Sequence, residues 1–156
     1  MSKHLLSASA IRQLPEIRNQ HQFNEQAVRH SRNLTAQTGM QRIGLHLVRV
    51  EPGHDSTTHH YHTADEEFIY VIAGRGQARI GNETFDIGVG DFMGFGAPSP
   101  AHSIHNPHHE DLVYLMGGER WATDVVQYPE LRRCMIKAEG QRLWTDWDNL
   151  HELPPR

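Results

Sequence analysis

Residues 59–67 read HHYHTADEE, so three histidines fall within four positions and Glu66 and Glu67 follow Asp65 directly. Imidazole nitrogens and carboxylate oxygens are the usual donors to divalent transition metals. The chain carries 13 histidines in 156 residues, and two groups stand out: His54, His59, His60 and His62, then His102, His105, His108 and His109. His60 and His62 are two apart, so on a strand both side chains point to one face. Glu67 opens the stretch EFIYVIA. On a strand it shares a face with Ile69 and Val71, while Phe68, Tyr70 and Ile72 take the other. A carboxylate on an apolar inner face needs a charge partner, because burying it unpaired is very costly. A metal held by two histidines supplies that partner. A fourth donor is expected from another strand, and His102, with Ile104 on the same face, is the candidate. The neighbours read differently. His59 has the opposite parity and is expected at the surface. Asp65 and Glu66 are expected in a solvated loop, with Glu66 the alternative ligand if that loop is one residue shorter. His105 has the opposite parity to His102, His108 and His109 follow Pro107 in a turn, and His54 sits in a loop, so all four are expected outside.

The elements that must position these residues read as strands. In RIGLHLVRVEPG, Ile43, Leu45 and Leu47 alternate, then Val48 and Val50 continue on the other parity. That pattern predicts a strand with a bulge near Leu47, closed by Pro52-Gly53. TTHHYH is short and strand-compatible, and FIYVIAG is β-branched and aromatic up to Gly74. GQARI, Gly81-Asn82 and ETFDIG read as a hairpin with a tight turn. GDFMGFGAPSPAHSIHNP holds two short strands, and DLVYLMGGER another strong one. Strands recurring roughly every 8 to 12 residues without a long helical pattern predict an all-β sandwich or barrel. The expected organisation is an N-terminal arm over 1–40, a barrel over 41–120 and an irregular C-terminal extension over 121–156. The arm is expected to be extended, with a short strand or helical turn around Ser9 to Leu14. Trp121, Trp144 and Trp147 are expected to pin the tail to the barrel.

A formal charge of −4 and the lack of a basic cluster point away from nucleic acid and membrane surfaces. No apolar run approaches the length of a spanning helix, and the first residues lack the apolar centre of a secretion signal. Cys134 is the only cysteine, so no internal disulfide forms, and a cytoplasmic home is expected. The glycines at 74 and 76 suit a hairpin turn and not a dinucleotide loop. Cys134 has no histidine near it in the sequence and receives no nucleophilic role.

The histidine spacing resembles the two motifs of the cupin superfamily. Pro52-Gly53, His60-Tyr61-His62, Glu67 and Gly74 follow the first motif, with the first spacer one residue longer. Gly90, His102 and Asn106 follow the second, with Gly96 where the family has proline, Pro98 where it has glycine, and a longer spacer after it. The resemblance spans 52–106 and implies a double-stranded β-helix, or jelly roll, around one divalent transition metal. His60, His62, Glu67 and His102 would be the ligands, and iron, manganese, nickel, copper and zinc all suit them. Two open positions in an octahedral shell would admit substrate or oxygen. The resemblance implies either dioxygenase or Lewis-acid isomerase or lyase chemistry on a small molecule, or binding and sensing without turnover. Arg42, His46, Arg79 and Tyr114 are the residues expected to touch the substrate at the barrel mouth. A homodimer is expected, with the arm before residue 40 added to the neighbour's sheet. Nothing over 1–40 resembles a helix-turn-helix.

Overall fold

The structure, a computed structural model, describes residues 4–153; the first and last three residues of the expected arm and extension lie outside them. The first described element is a short helix α1 (Ala8–Gln13), capped by the Ser7 hydroxyl, which accepts from the Ala10 N–H. Strands β1 (Ile17–His21) and β2 (Asn24–Asn33) follow as an antiparallel pair. A single helical turn α2 (Thr35–Thr38) leads into β3 (Ile43–Val50). Next come β4 (Tyr61–His62), β5 (Glu67–Ala73), β6 (Arg75–Ile80), β7 (Glu83–Gly88), β8 (Phe92–Phe95) and β9 (His102–His105). The last strands are β10 (Leu112–Glu119), β11 (Asp124–Tyr128), β12 (Arg133–Ala138) and β13 (Gln141–Asp146). The arm therefore holds a hairpin besides its helical turn, and the stretch expected to be irregular holds three strands.

One sheet runs β1-β2-β3-β10-β5-β8; a second runs β13-β12-β11-β4 and a third β7-β6-β9. An antiparallel bridge between His60 and His102 joins the second sheet to the third. The two then form one face of a jelly roll opposite the six-stranded sheet. The core lies between them, with Val48, Val50, Ile69, Val71, Ile104, Leu112 and Tyr114 buried in one cluster. Ile69 and Val71 point inward and Tyr70 and Ile72 outward, as the alternation predicts. The expected hairpin forms between β6 and β7, and Gly81 in its turn has φ of +59°, a conformation that favours glycine. Gly74 has φ of +73°, and a Cβ there would lie 2.2 Å from the Asp111 carbonyl oxygen, so the tight turn admits no side chain.

The bulge expected near Leu47 is absent. β3 pairs with β10 in unbroken register from Val50↔Leu112 to Ile43↔Glu119. Val48 and Val50 face the core, whereas Leu45 and Leu47 lie half-buried on the outer face. The sequence pattern changes parity because both faces carry apolar residues, not because the chain kinks. The register shift falls instead where β10 meets β5, between Val113 and Tyr114. The arm strand β2 pairs with β3 of its own chain. Opposite this pairing, Glu16 accepts from Arg32 at 3.0 Å and from Arg49 at 2.8 Å on the outer face, and Arg49 also reaches Glu51 and Asp111. Among the described residues no helix is long and apolar enough to cross a membrane.

Candidate metal centre

His60, His62 and His102 meet Glu67 at one end of the core. Glu67 Oε2 lies 3.7 Å from His60 Nε2, 3.4 Å from His62 Nε2 and 3.4 Å from His102 Nε2. Backbone pairing creates this convergence. The His60 N–H donates to the His102 carbonyl at 3.1 Å and the His102 N–H donates back at 2.8 Å. His62 stands on β4, whose only strand partner among the described residues is β11, through Val126↔His62 and Gln127↔Tyr61. Glu67 opens β5, with Gly118 of β10 on one side and Phe95 of β8 on the other.

Each imidazole has its outer nitrogen tied down. His60 Nδ1–H donates to the Thr58 carbonyl at 2.9 Å, His102 Nδ1–H to the Pro100 carbonyl at 3.4 Å, and His62 Nδ1–H to Asp124 Oδ2 at 2.5 Å. A proton fixed on Nδ1 leaves the Nε2 lone pair free. Three lone pairs then face one carboxylate oxygen, an arrangement of acceptors that calls for a cation between them. The rings are also held by stacking, His102 on Phe95 at 3.6 Å and His60 on Tyr128 at 5.7 Å. Burial lowers the His60 pKa, so the ring stays neutral. Burial pushes the Glu67 carboxyl up, but the surrounding histidines hold it well below the ordinary carboxylate range. The ligand atoms of His60, His62 and Glu67 lie within 4.8 Å of one another. Three imidazoles and one carboxylate suit a divalent transition metal.

Asp124 is 1% exposed and sits outside both sequence motifs. Besides His62 it accepts from the Ala64 and Asp65 N–H groups, so one carboxylate carries the loop between His62 and Glu67. Burial raises its pKa, but His62 and the Ala64 and Asp65 N–H groups together lower it on balance. Asp65, expected in a solvated loop, is 6% exposed and paired with Lys137 of β12. Glu66 is exposed and receives no role in the cluster; Glu67 is the residue turned toward the histidines. His59, expected at the surface, is 7% exposed. The His60–His102 bridge lays its chain over β9, where its Nδ1 meets the Ser103 hydroxyl at 3.2 Å. His105 points out of the core to Asp55 at 2.8 Å, His109 is exposed, and His54 and His108 are half-buried at the surface.

The cluster forms part of the wall of a cavity with two adjoining lobes, of ≈ 430 Å³ and ≈ 510 Å³. His62, Glu67, Arg29, Met116 and Arg142 border both. His21, Tyr128 and Trp144 line the first lobe alone, and Asn33, His46 and Lys137 the second. Of the four residues expected at the substrate, Tyr114 and His46 line the cavity. Arg42 and Arg79 do not. Arg42 borders a shallow recess beside Trp121, and Arg79 turns outward to Glu130 at 2.5 Å. The arm and the C-terminal strands contribute Arg29, His21, Tyr128 and Arg142 instead. The alternation of Arg29, Ser31 and Asn33 along β2 is the signal that would have found the arm's share. Trp144 packs on His21, Phe23 and Tyr128, joining tail to arm, and Trp147 donates to Gln127 at 2.8 Å. Trp121 is 60% exposed, with its indole N–H donating to Glu119 and its backbone N–H to the buried Asp65, each at 2.9 Å. Cys134 is buried, which raises its thiol pKa and leaves it unreactive.

With this fold and this donor cluster, the chain belongs to the cupin superfamily. The family described as Cupin domain matches residues 46–118. The chain is similar to a putative sugar phosphate isomerase from Acidithiobacillus ferrooxidans, at 35% identity over 98% of each chain, with a TM-score of 0.94. It is also similar to a sugar phosphate isomerase of the cupin superfamily from Silicibacter pomeroyi, at 27% identity over 78% of each chain, with a TM-score of 0.75. A predicted oxalate decarboxylase from Thermotoga maritima shares the fold at 18% identity and a TM-score of 0.62, over 71% of this chain and 96% of its own. No curated protein matches the chain in sequence.

Proposed function

We propose that the chain is a metal-dependent isomerase of phosphorylated sugars, with one divalent transition metal held by His60, His62, Glu67 and His102. The observation that carries this reading is the convergence of three imidazole Nε2 atoms on Glu67 at the wall of a cavity. The likeness to the Acidithiobacillus protein over nearly the whole chain supports the substrate class. Bound there, the metal would act as a Lewis acid on the substrate's carbonyl oxygen. The rest falls to the protein. Glu67 sets negative charge among the imidazoles, and Asp124 holds His62 in the tautomer that offers its Nε2.

Interconversion of an aldose and a ketose moves one proton between adjacent carbons and another between oxygens, and it needs no oxidant. The cavity holds groups able to carry those protons. His46 is half-buried, and burial with the Arg120 and Arg29 charges lowers its pKa, so it is a neutral base at neutral pH. His21 is lowered by burial and by His60 and Arg29. Its Nδ1 accepts from the Phe23 N–H, which puts its proton on Nε2. Burial pushes the Tyr128 hydroxyl up to about 12, so it remains a donor. The same proposal makes the protein a cytoplasmic homodimer, in keeping with a single buried cysteine; light scattering at micromolar concentration should give twice the chain mass.

The test is to load the purified protein with iron, manganese, nickel, copper or zinc in turn and incubate it with aldose and ketose phosphates in deuterated water. Interconversion with deuterium entering the carbon next to the carbonyl is the expected result. Saturable binding without exchange would make the protein a binder, and oxygen uptake on substrate addition would make it a dioxygenase; either result replaces the isomerase reading.

A further inference from the structure

The inner face of the arm strand carries a positive charge that the protein leaves unanswered. Along β2, Arg32 turns outward and is paired with Glu16 at 3.0 Å. Arg29, three residues earlier, turns inward to line both lobes of the cavity. Among the described residues it makes no ion pair with a carboxylate; its guanidinium meets the Met116 sulfur, 3.9 Å from Nη1, and the Tyr114 hydroxyl. Its charge is felt by His21 in one lobe, by His46 in the other, and by Tyr114 and Tyr128 in the walls. The guanidinium therefore sits centrally, where the lobes meet. Arg142 of β13 borders both lobes as well, from an exposed position at the mouth, and likewise pairs with no carboxylate among the described residues. A half-buried guanidinium facing a cavity without a counter-ion favours an anionic occupant.

We propose that Arg29 and Arg142 together receive the phosphate group of the substrate, as a phosphate monoester, and so fix which end of the molecule reaches the histidine cluster. This rests on the sugar-phosphate reading above for its choice of anion, but the assignment of the two arginines does not require turnover. Arg29 forms the inner anchor and Arg142 the outer clamp. Neither lies within the segment that bears the metal motifs. Two guanidinium forks suit the three terminal oxygens of a phosphate better than a single point charge does.

Calorimetric titration of the metal-stripped protein tests this, so that phosphate cannot bind through the metal. Inorganic phosphate and a hexose 6-phosphate should bind, and the free hexose at least tenfold more weakly than its phosphate. R29Q should weaken binding of the ester about tenfold to a hundredfold. R29K, which keeps the charge but not the fork, should fall between R29Q and wild type, and R142Q should show a smaller loss. R32Q, on the opposite face of the same strand, should bind as wild type. Circular dichroism of each variant confirms that it is folded. Equal affinity for the hexose and its phosphate overturns the proposal, as does wild-type affinity in both R29Q and R142Q. Binding of malonate as tight as that of phosphate, and equally sensitive to R29Q, overturns the choice of phosphate. If these affinities behave as expected while no aldose–ketose exchange is seen, the anion site stands and the isomerase reading falls.

Discussion

The strands between 46 and 118 and the strands flanking them meet at one cavity and bring different things to it. The central strands carry all four donors, His60, His62, Glu67 and His102, within two short stretches. Local alternation and a single backbone bridge bring these together. The flanking strands carry none of these four. They bring Asp124, which orients His62, and Arg29, His21, Tyr128 and Arg142, which shape the space in front of the cluster. The chemistry that a family shares thus sits on short-range spacing. The features that choose a ligand depend on strands brought in from both ends of the chain. A change in the first region should abolish the site, and a change in the second should retune it.

The largest effect is expected from the double variant H60A/H62A. Metal analysis by mass spectrometry should find about one divalent ion per wild-type chain and almost none in the variant. A chelator should lower the melting temperature of the wild type alone, since only a bound ion adds stability in proportion to its affinity. Equal metal in both proteins would remove the basis of the comparison. D124N sharpens it from the flanking side. All four donors remain, but the His62 ring loses its carboxylate, and metal affinity should fall about 10- to 100-fold while the far-ultraviolet dichroism stays that of the wild type. An unchanged affinity would make the flanking strands mere walls.

The acid sensitivity of the arm is a smaller effect. The Arg49 hydrogen bond, with Arg49, Arg32 and His30 charges, lowers the Glu16 pKa against the opposing influence of burial. A carboxyl depressed in the folded state contributes stability above its unfolded pKa, about 4.3, and loses it as pH falls through the folded value. Urea denaturation of wild type and E16Q should therefore differ most at neutral pH, by about 0.5–1 kcal/mol, and converge toward pH 3. A constant gap would show that the arm is held by packing and not by these ion pairs. The smallest effect should come from E66Q. Its carboxyl is exposed beside the site, and metal content should not move; a loss matching that of E67Q would transfer the carboxylate role to Glu66.

Much of the central region is legible in the amino-acid sequence. Parity alone separates His60 and His62 from a histidine-rich loop, and it sets Glu67, Ile69 and Val71 on the inner face. The hairpin at Gly81-Asn82 is equally local. What the sequence does not announce depends on pairing between distant segments. His62 and Asp124 are 62 residues apart, and Asp65 and Lys137 are 72 apart. Asp65 reads as a loop carboxylate until β12 is laid beside it. His59 reads as exposed until the bridge to His102 covers it. Arg42 and Arg79 are cationic residues close to the right strands, but each faces away from the cavity, whereas Arg29 lies in a polar arm whose partner strand no local pattern reveals. The outer apolar face of β3 misleads in the opposite way, since Leu45 and Leu47 look like core residues and the core is formed by Val48 and Val50.

Strand β4 is two residues long and its only strand partner among the described residues is β11. That sets a limit on how small a working version of this protein can be made. A minimal fragment ending at Glu119 would keep every donor in its sequence and would lose both the strand that fixes His62 in register and the carboxylate that turns its ring. Such a fragment should bind metal loosely or not at all, and adding back the C-terminal strands as a separate peptide should be the shortest route to restoring it.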